Sequence, residues 1–310
     1  MPANDKYRKL SAWLLERYGE RVFKVSLRGG FTCPNRDGTV GTEGCTFCAG
    51  HTLEPVGYRK EMTIAEQLAH GIAYIRKRHK ANRFIAYFQD YSATYAPVEK
   101  LAEIYAPVFE EPSIVAISVA TRPDCLPPRV LDLLAEVANR IDLWVELGLQ
   151  IANDDLLHSI NRGHTVADFT CAVTECRKRK IPVCAQVILG LPGATIQDER
   201  NTARLLSQTG VWGVKAHAFH VLRNTKTQAD YEAGRLRLLS QDEYAARVVD
   251  FVEHLPPDLV IHRLTGEAPR RFTVAPTWTI NKMATFNTVV AALENRQTWQ
   301  GRLFEPNDRP

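Results

Sequence analysis

Apolar positions along this chain follow two spacings in turn, and their alternation predicts the architecture. Within residues 5–18, Leu10, Trp13 and Leu14 stand at helical spacing, while VFKVSL at 22–27 alternates apolar and polar residues as a strand does. After a break, the rhythm resumes with a helix over 63–79, opened by the Thr63-x-x-Glu66 capping pattern, and a strand over 83–88. Helices are then predicted over 97–109, 127–139, 166–179, 195–208 and 241–254. Strands are predicted over 113–119, 142–149, 181–190, 211–219 and 259–264. About seven strands separated by helices favour an α/β fold with a parallel sheet, and the repeat number suits a partial (β/α)6-type TIM barrel better than a short doubly wound sheet. The expected organisation is one barrel over residues 1–264, including the N-terminal helix, and a C-terminal extension over 265–310 packed on it. In such a barrel the chemistry sits at the C-terminal strand ends, which here are the loops beginning at Arg28, Gln89, Thr121, Gln150, Gly190 and His220.

The break is residues 28–60, which carry seven glycines, two prolines and no hydrophobic period. A loop this long inside a compact domain is usually functional. Composition adds exclusions. With 45% hydrophobic and 24% charged residues the chain is not disordered, and no stretch approaches the roughly 18 to 20 apolar residues of a membrane span. The polar opening MPANDKYRKL lacks the apolar run of a secretory signal, which implies a reducing, cytoplasmic setting. Net charge is +4, distributed as basic ends around an acidic middle. That pattern fits an ordinary solvated surface or a basic rim attractive to phosphates.

Seven cysteines in a long chain, unevenly spaced, argue for metal binding and buried thiols over a disulfide framework. Three of them, Cys33, Cys45 and Cys48, form a C-x11-C-x2-C arrangement in the functional loop. A structural zinc would need a fourth ligand, such as His51 or a distant cysteine, to complete a zinc-bearing nucleic-acid-binding ribbon on an inactive barrel. An iron–sulfur cluster held by three thiolates would keep one iron open to a small molecule, which suggests catalysis. Cys125, Cys171, Cys176 and Cys184 lack ligand spacing and read as structural.

The chain resembles the radical S-adenosylmethionine (SAM) superfamily, and within it the branch that contains the elongator catalytic subunit and the YhcC-like proteins. The segments that carry the likeness are CPNRDGTVGTEGCTFC, TRPDCL, ELGLQ with INRGHT, VILGLPGAT, VKAHAFHVLRNT and HRLTGEAPR with APTW. The resemblance implies a [4Fe–4S] cluster on Cys33, Cys45 and Cys48, with Phe47 as the aromatic residue of the Cys-x-aromatic-Cys ending. It implies an electron from an external flavodoxin- or ferredoxin-type donor, and reductive cleavage of SAM to a 5′-deoxyadenosyl radical that abstracts hydrogen from a substrate. RNA is one candidate substrate, because that branch modifies tRNA; protein and small-molecule substrates are the others.

The same resemblance distributes roles around SAM. Gln89 stands where the family receives the SAM amino group, although the family's glycines are absent beside it. Gln150 and Arg162 correspond to residues that hold the ribose and carboxylate, Gln186 to a contact with the sugar, and Gly190 to the turn that approaches the methionine or adenine moiety. Glu146 lies on the strand face of Gly148 and Gln150. Inside a barrel its carboxylate must bind a polar ligand or pair with a cation. Lys215 and His217, two apart on the sixth strand, are the candidates for holding an anionic substrate or moving protons.

Overall fold

The computed structural model describes residues 5–49, 57–266 and 270–305. Seven strands form one parallel sheet in the order β1 (Val22–Leu27), β2 (Arg83–Phe88), β3 (Ile114–Thr121), β4 (Asp142–Gln150), β5 (Val183–Leu189), β6 (Gly213–Ala218) and β8 (Val260–Arg263). Between β6 and β8 in sequence lies β7 (Val221–Leu222), which pairs antiparallel with β9 (Thr273–Ala275). The sheet is a partial barrel whose edge strands, β1 and β8, do not pair with each other.

Four of the crossover helices start where the sequence provides a side-chain cap. Thr63, Thr165, Thr195 and Ser240 complete reciprocal capping boxes with Glu66, Asp168, Asp198 and Glu243 at the starts of α2 (Ile64–His79), α6 (Val166–Lys178), α7 (Ile196–Thr209) and α9 (Gln241–Glu253). The outward strand face is apolar: Val25, Phe84, Val119, Leu147, Val187 and Ala216 all join the main core under these helices. The expected helix over 97–109 divides into α3 (Val98–Tyr105) and a 3-10 turn over Ala106–Glu110. Pro107 is the cause, since it has no N–H to donate and its ring crowds the preceding turn.

The N-terminal helix is shorter than the pattern suggests. It runs over Leu10–Tyr18 (α1), because residues before it are extended and Lys9 bridges to Ile261 on β8, whose N–H donates to the Arg8 carbonyl at 2.8 Å. This places α1 across the N-terminal mouth of the barrel. Leu10 and Leu14 there pack against Ile85, Ala116, Trp144, Cys184 and Val260, the lowest inward-facing residues of five strands. Three helices lie outside the predicted elements: α5 (Asp154–Ser159), α8 (Lys226–Glu232) and α10 (Lys282–Asn295). Val289 and Leu293 of α10 are fully buried in the main core. Among the described residues, no helix is long and apolar enough to cross a membrane.

Candidate active site

Above the apolar plug the inward strand positions turn polar. Glu146, fully buried on β4, is the centre of this layer. Lys24 Nζ and Ser118 Oγ donate to its Oε1 at 2.7 and 3.0 Å. Tyr87 Oη, Gln186 Nε2 and Lys215 Nζ donate to Oε2 at 2.9, 2.9 and 2.7 Å. Lys215 also donates to Tyr87 Oη at 2.7 Å. Burial alone would raise the Glu146 carboxyl, but Lys215 and Lys24 carry it well below the ordinary range. Burial pulls Lys215 down to about 8 against the opposing pull of Glu146, so both groups are charged at neutral pH. Of the two roles the sequence leaves open for Glu146, the structure shows the pairing with cations. His217 faces the bore one step above Lys215, and burial followed by the positive charge of Arg263 hold it well below its usual value, hence neutral.

The cysteine loop follows β1 and folds on itself through Arg36 N to Cys33 O (2.8 Å), Gly44 N to Asn35 O (2.7 Å) and Cys48 N to Cys45 O (3.0 Å). Gly44 sits at φ 74, and a Cβ there would meet the Arg36 guanidinium at 2.8 Å, so the turn requires glycine. The loop is pinned to the connection after α5. Asn35 Nδ2 donates to Asn161 O at 2.6 Å, Asn161 Nδ2 to Gly44 O at 2.7 Å, and Thr46 N to Ile160 O at 3.0 Å. Sequence reasoning missed Asn35 and Asn161 as anchors. An available signal was asparagine beside glycine in INRG, since Asn161 takes a left-handed φ of 52.

This connection also brings Arg162 to the cysteines. Its Nη1 lies 3.5 Å from Cys45 Sγ, and its Nη2 donates to Gly148 O at 2.9 Å. Arg122 donates to the carbonyls of Arg162 and Gly163 at 2.7 and 3.1 Å and pairs with Asp124, which fixes the arm that carries Arg162. Gln150 reaches the same place by a distortion that the sequence did not suggest. Pairing with β5 shifts between Gly148 and Gln150, and Gln150 takes φ 77. A Cβ on Gly148 would stand 2.4 Å from Arg162 Nη2 and 2.8 Å from Gln150 Nε2, so glycine lets both side chains converge over bare backbone.

The predicted site residues therefore fall into two layers. The upper one joins Cys45, Gln150 and Arg162 within the loop that also holds Cys33 and Cys48. The lower one joins Glu146, Gln186 and Lys215. Gln89 follows the end of β2, and beside it Asp90 is buried, accepting from Gly29 N at 3.3 Å. Phe47 packs partly buried against the cluster of Ile151, Ile160 and Ile188. Gly190, at φ 75, donates its N–H to Glu199 at 2.8 Å. Lys24, Tyr87 and Ser118 belong to the lower layer although no motif marked them. Their signal was position, since each holds an inward place on its strand. His51 and part of the HRLTGEAPR segment lie outside the described residues.

The donor set fits the group that the three cysteines suggest. The sulfurs lie among cations: Arg162 Nη1 stands 3.5 Å from Cys45 Sγ, and Arg36 donates to the Cys48 carbonyl, although burial pushes the Cys48 thiol up. The Arg162 guanidinium overhangs the Gly148 gap through Nη2, and its Nε is buried without a hydrogen-bond partner, a donor that a ligand carboxylate could satisfy. Among the described residues, no group of three or more His, Cys, Asp or Glu side chains is arranged to hold a metal ion.

Residues 35–206 match the family described as the Radical SAM superfamily, and residues 211–295 match the Radical_SAM C-terminal domain. The chain belongs to the radical SAM superfamily. Within this superfamily, it is 42% identical to YtqA of Bacillus subtilis over 97% of its length and 93% of that protein. It is 40% identical to YhcC of Escherichia coli over 87% of its length and 86% of that protein. The fold is shared with the Elp3 protein of the archaeon Methanocaldococcus infernus, with a TM-score of 0.66, 16% identity, and coverage of 90% of this chain and 64% of that one. Membership supports SAM-dependent radical chemistry, in a superfamily whose enzymes use an iron–sulfur cluster, SAM and a reductant.

Proposed function

We propose that this chain is a radical SAM enzyme in which Cys33, Cys45 and Cys48 hold a [4Fe–4S] cluster and the Gly148 cradle receives SAM. When bound, the cluster would pass one electron from an external reductant to the SAM sulfonium, whose S–C5′ bond would break to give methionine and a 5′-deoxyadenosyl radical able to abstract hydrogen. The chain's own residues position and enclose. Arg162 presents its unspent donor to the methionine carboxylate, a match of planar fork to planar anion. Gln150 offers an amide to the ribose, Gln89 and the Gly190 turn border the ligand, and Phe47 closes the loop side. Gln186 links this layer to Glu146. Lys215 and His217 face the substrate side of the bore, with Glu146 keeping Lys215 charged.

The observation that carries this reading is Arg162 itself, which touches Cys45 and overhangs the Gly148 gap with Nε unpaired. One side chain thereby joins the thiol loop to the cradle. An external flavodoxin- or ferredoxin-type donor and a reducing cytoplasmic setting complete the proposal. RNA heads the substrate classes to test, because relatives named as tRNA-modifying enzymes match parts of this chain. The decisive experiment is anaerobic reconstitution, with iron and sulfide measured together with 5′-deoxyadenosine released after SAM and dithionite are added. One cluster per chain with product is expected, and Cys45→Ala removes both while Cys171→Ala, altering an exposed thiol, retains them. Stoichiometric zinc without sulfide, or turnover in Cys45→Ala, refutes the assignment.

A further inference from the structure

The barrel is open between its edge strands, and the opening is a cleft of about 490 Å³ bounded by α1, β1, β8 and α10. Its inner end reaches Tyr87, Lys24 and Lys215, the lower polar layer of the bore. Six lysine and arginine side chains line it, and none of its described lining residues is acidic. Glu146, behind this wall, pairs with Lys24 and Lys215, and Asp5 pairs with Lys9, so the described cations of the cleft outnumber the carboxylates beside them. Lys24 uses one of its three ammonium donors on Glu146 and keeps a quarter of its side chain exposed to the cleft. Half-buried Arg263 makes no hydrogen bond or ion pair with a described residue. His262 lines the cleft too. Its side chain is 1% exposed, packed on Trp144 and Trp212 with Nδ1 4.0 Å from Glu146 Oε1, and both ring nitrogens lack a hydrogen-bond partner. Burial holds this imidazole well below its ordinary pKa, so it is neutral and has one N–H to give.

Unspent donors on buried and half-buried groups are costly unless an acceptor arrives. Excess positive charge in a partly enclosed site selects an anion, and a phosphate, with up to two negative charges and three free oxygens, answers several converging donors better than a planar carboxylate does. We infer that this lateral cleft is the substrate entrance and that Lys24 and Arg263 bind a phosphate group of the substrate, carried by a nucleotide that is free or part of an RNA chain. The inference rests on the proposed radical chemistry only for calling the ligand a substrate. The phosphate fixes the ligand at the open edge while the rest reaches the Tyr87–Lys215 layer beneath the SAM cradle.

The test is isothermal titration of the reconstituted protein with AMP, inorganic pyrophosphate, citrate and bulk tRNA, at low and raised salt. AMP and pyrophosphate bind, more weakly as salt rises. Arg263→Gln weakens both at least about tenfold, as loss of a charge-assisted hydrogen bond requires. Lys24→Met does the same, whereas Arg302→Gln, removing one exposed charge elsewhere, leaves binding unchanged. Competition between tRNA and AMP identifies RNA as the source of the phosphate; AMP binding without competition identifies a free nucleotide. The inference is overturned if none of the phosphate probes binds, if Arg263→Gln matches Arg302→Gln, or if citrate binds as tightly with the same dependence. Failure of the radical reading shows separately, as absence of 5′-deoxyadenosine from the wild-type protein.

Discussion

The two faces of the same seven strands obey different rules. Outward positions such as Val25, Ala86, Val145, Leu147 and Val187 are apolar and join the main core, whereas the alternate inward positions on β1 to β6 include Lys24, Tyr87, Ser118, Glu146, Gln186 and Lys215. A parallel sheet covered on both faces ordinarily reads as a continuous apolar run. The outward face keeps that rule because helices cover it. The inward face departs from it one level above the α1 plug, and its charges survive burial because each is given a partner. Apolar packing carries the fold, and the polar row is a buried network whose members satisfy one another around Glu146.

The sharpest way to break this contrast is to remove its centre. Glu146→Leu leaves Lys215 buried without its counter-charge and is expected to cost about 3–5 kcal/mol, measured by urea unfolding. Lys215→Met in the same background recovers part of the loss, because a buried pair replaced by apolar residues is close to neutral. A cost below about 1 kcal/mol for the single variant would show that the inward row is solvated and not a coupled network. Its outward neighbour supplies the comparison. Leu147→Ala is expected to cost about 2–5 kcal/mol through the cavity it opens, with 5′-deoxyadenosine release per folded molecule unchanged. A loss of activity there would mean that the two faces are not separable.

The outward face was also the legible one. Strands β1 and β2 span the predicted residues 22–27 and 83–88, and α6 and α9 begin at the predicted positions 166 and 241. Elements without a clear period went unread. α5 is six residues long, and α10 buries Thr285 beside Val289 and Leu293, so a polar residue interrupts its buried stripe. In the site, the cysteine spacing identified the loop, and Arg162 and Gln150 were found through the resemblance. Lys24 escaped because a lysine alternating in VFKVSL reads as a solvent-facing position. Only the barrel's curvature makes that face interior and aims Lys24 at Glu146, 122 residues away. The convergence of Gln150 on Arg162 depends on a shifted strand pairing and a left-handed φ, neither of which leaves a mark in residue type.

The upper layer can be sharpened with Arg162. Arg162→Ala is expected to weaken SAM binding about tenfold or more, the value of a hydrogen bond to a charged group, while iron content per chain stays at the wild-type level. Equilibrium dialysis with SAM and iron analysis read the two quantities apart. Arg162→Lys does not restore affinity, since an ammonium cannot reproduce the fork. Unchanged SAM affinity in both variants would move Arg162 from the cradle to the loop alone.

The smallest expected effect lies beside it, at His164. Its Nε2 lies 2.9 Å from the Gly148 carbonyl and is 7% exposed as a residue, and burial, then the positive charge of Arg162, hold its pKa at about 4. In the unfolded chain the ring titrates near 6.5. Between these values the unfolded state binds a proton that the folded state refuses, so this histidine's contribution to stability is complete above about 6.5 and is lost as pH falls towards 4. From pH 7 to pH 6 the loss is about 0.7 kcal/mol. His164→Gln keeps an N–H for the Gly148 carbonyl but removes the titration. Unfolding curves at pH 7 and pH 6 are therefore expected to separate less in the variant than in the wild type. Equal separation would mean that His164 titrates alike in the folded and the unfolded chain, so that burial beside Arg162 does not hold its pKa down.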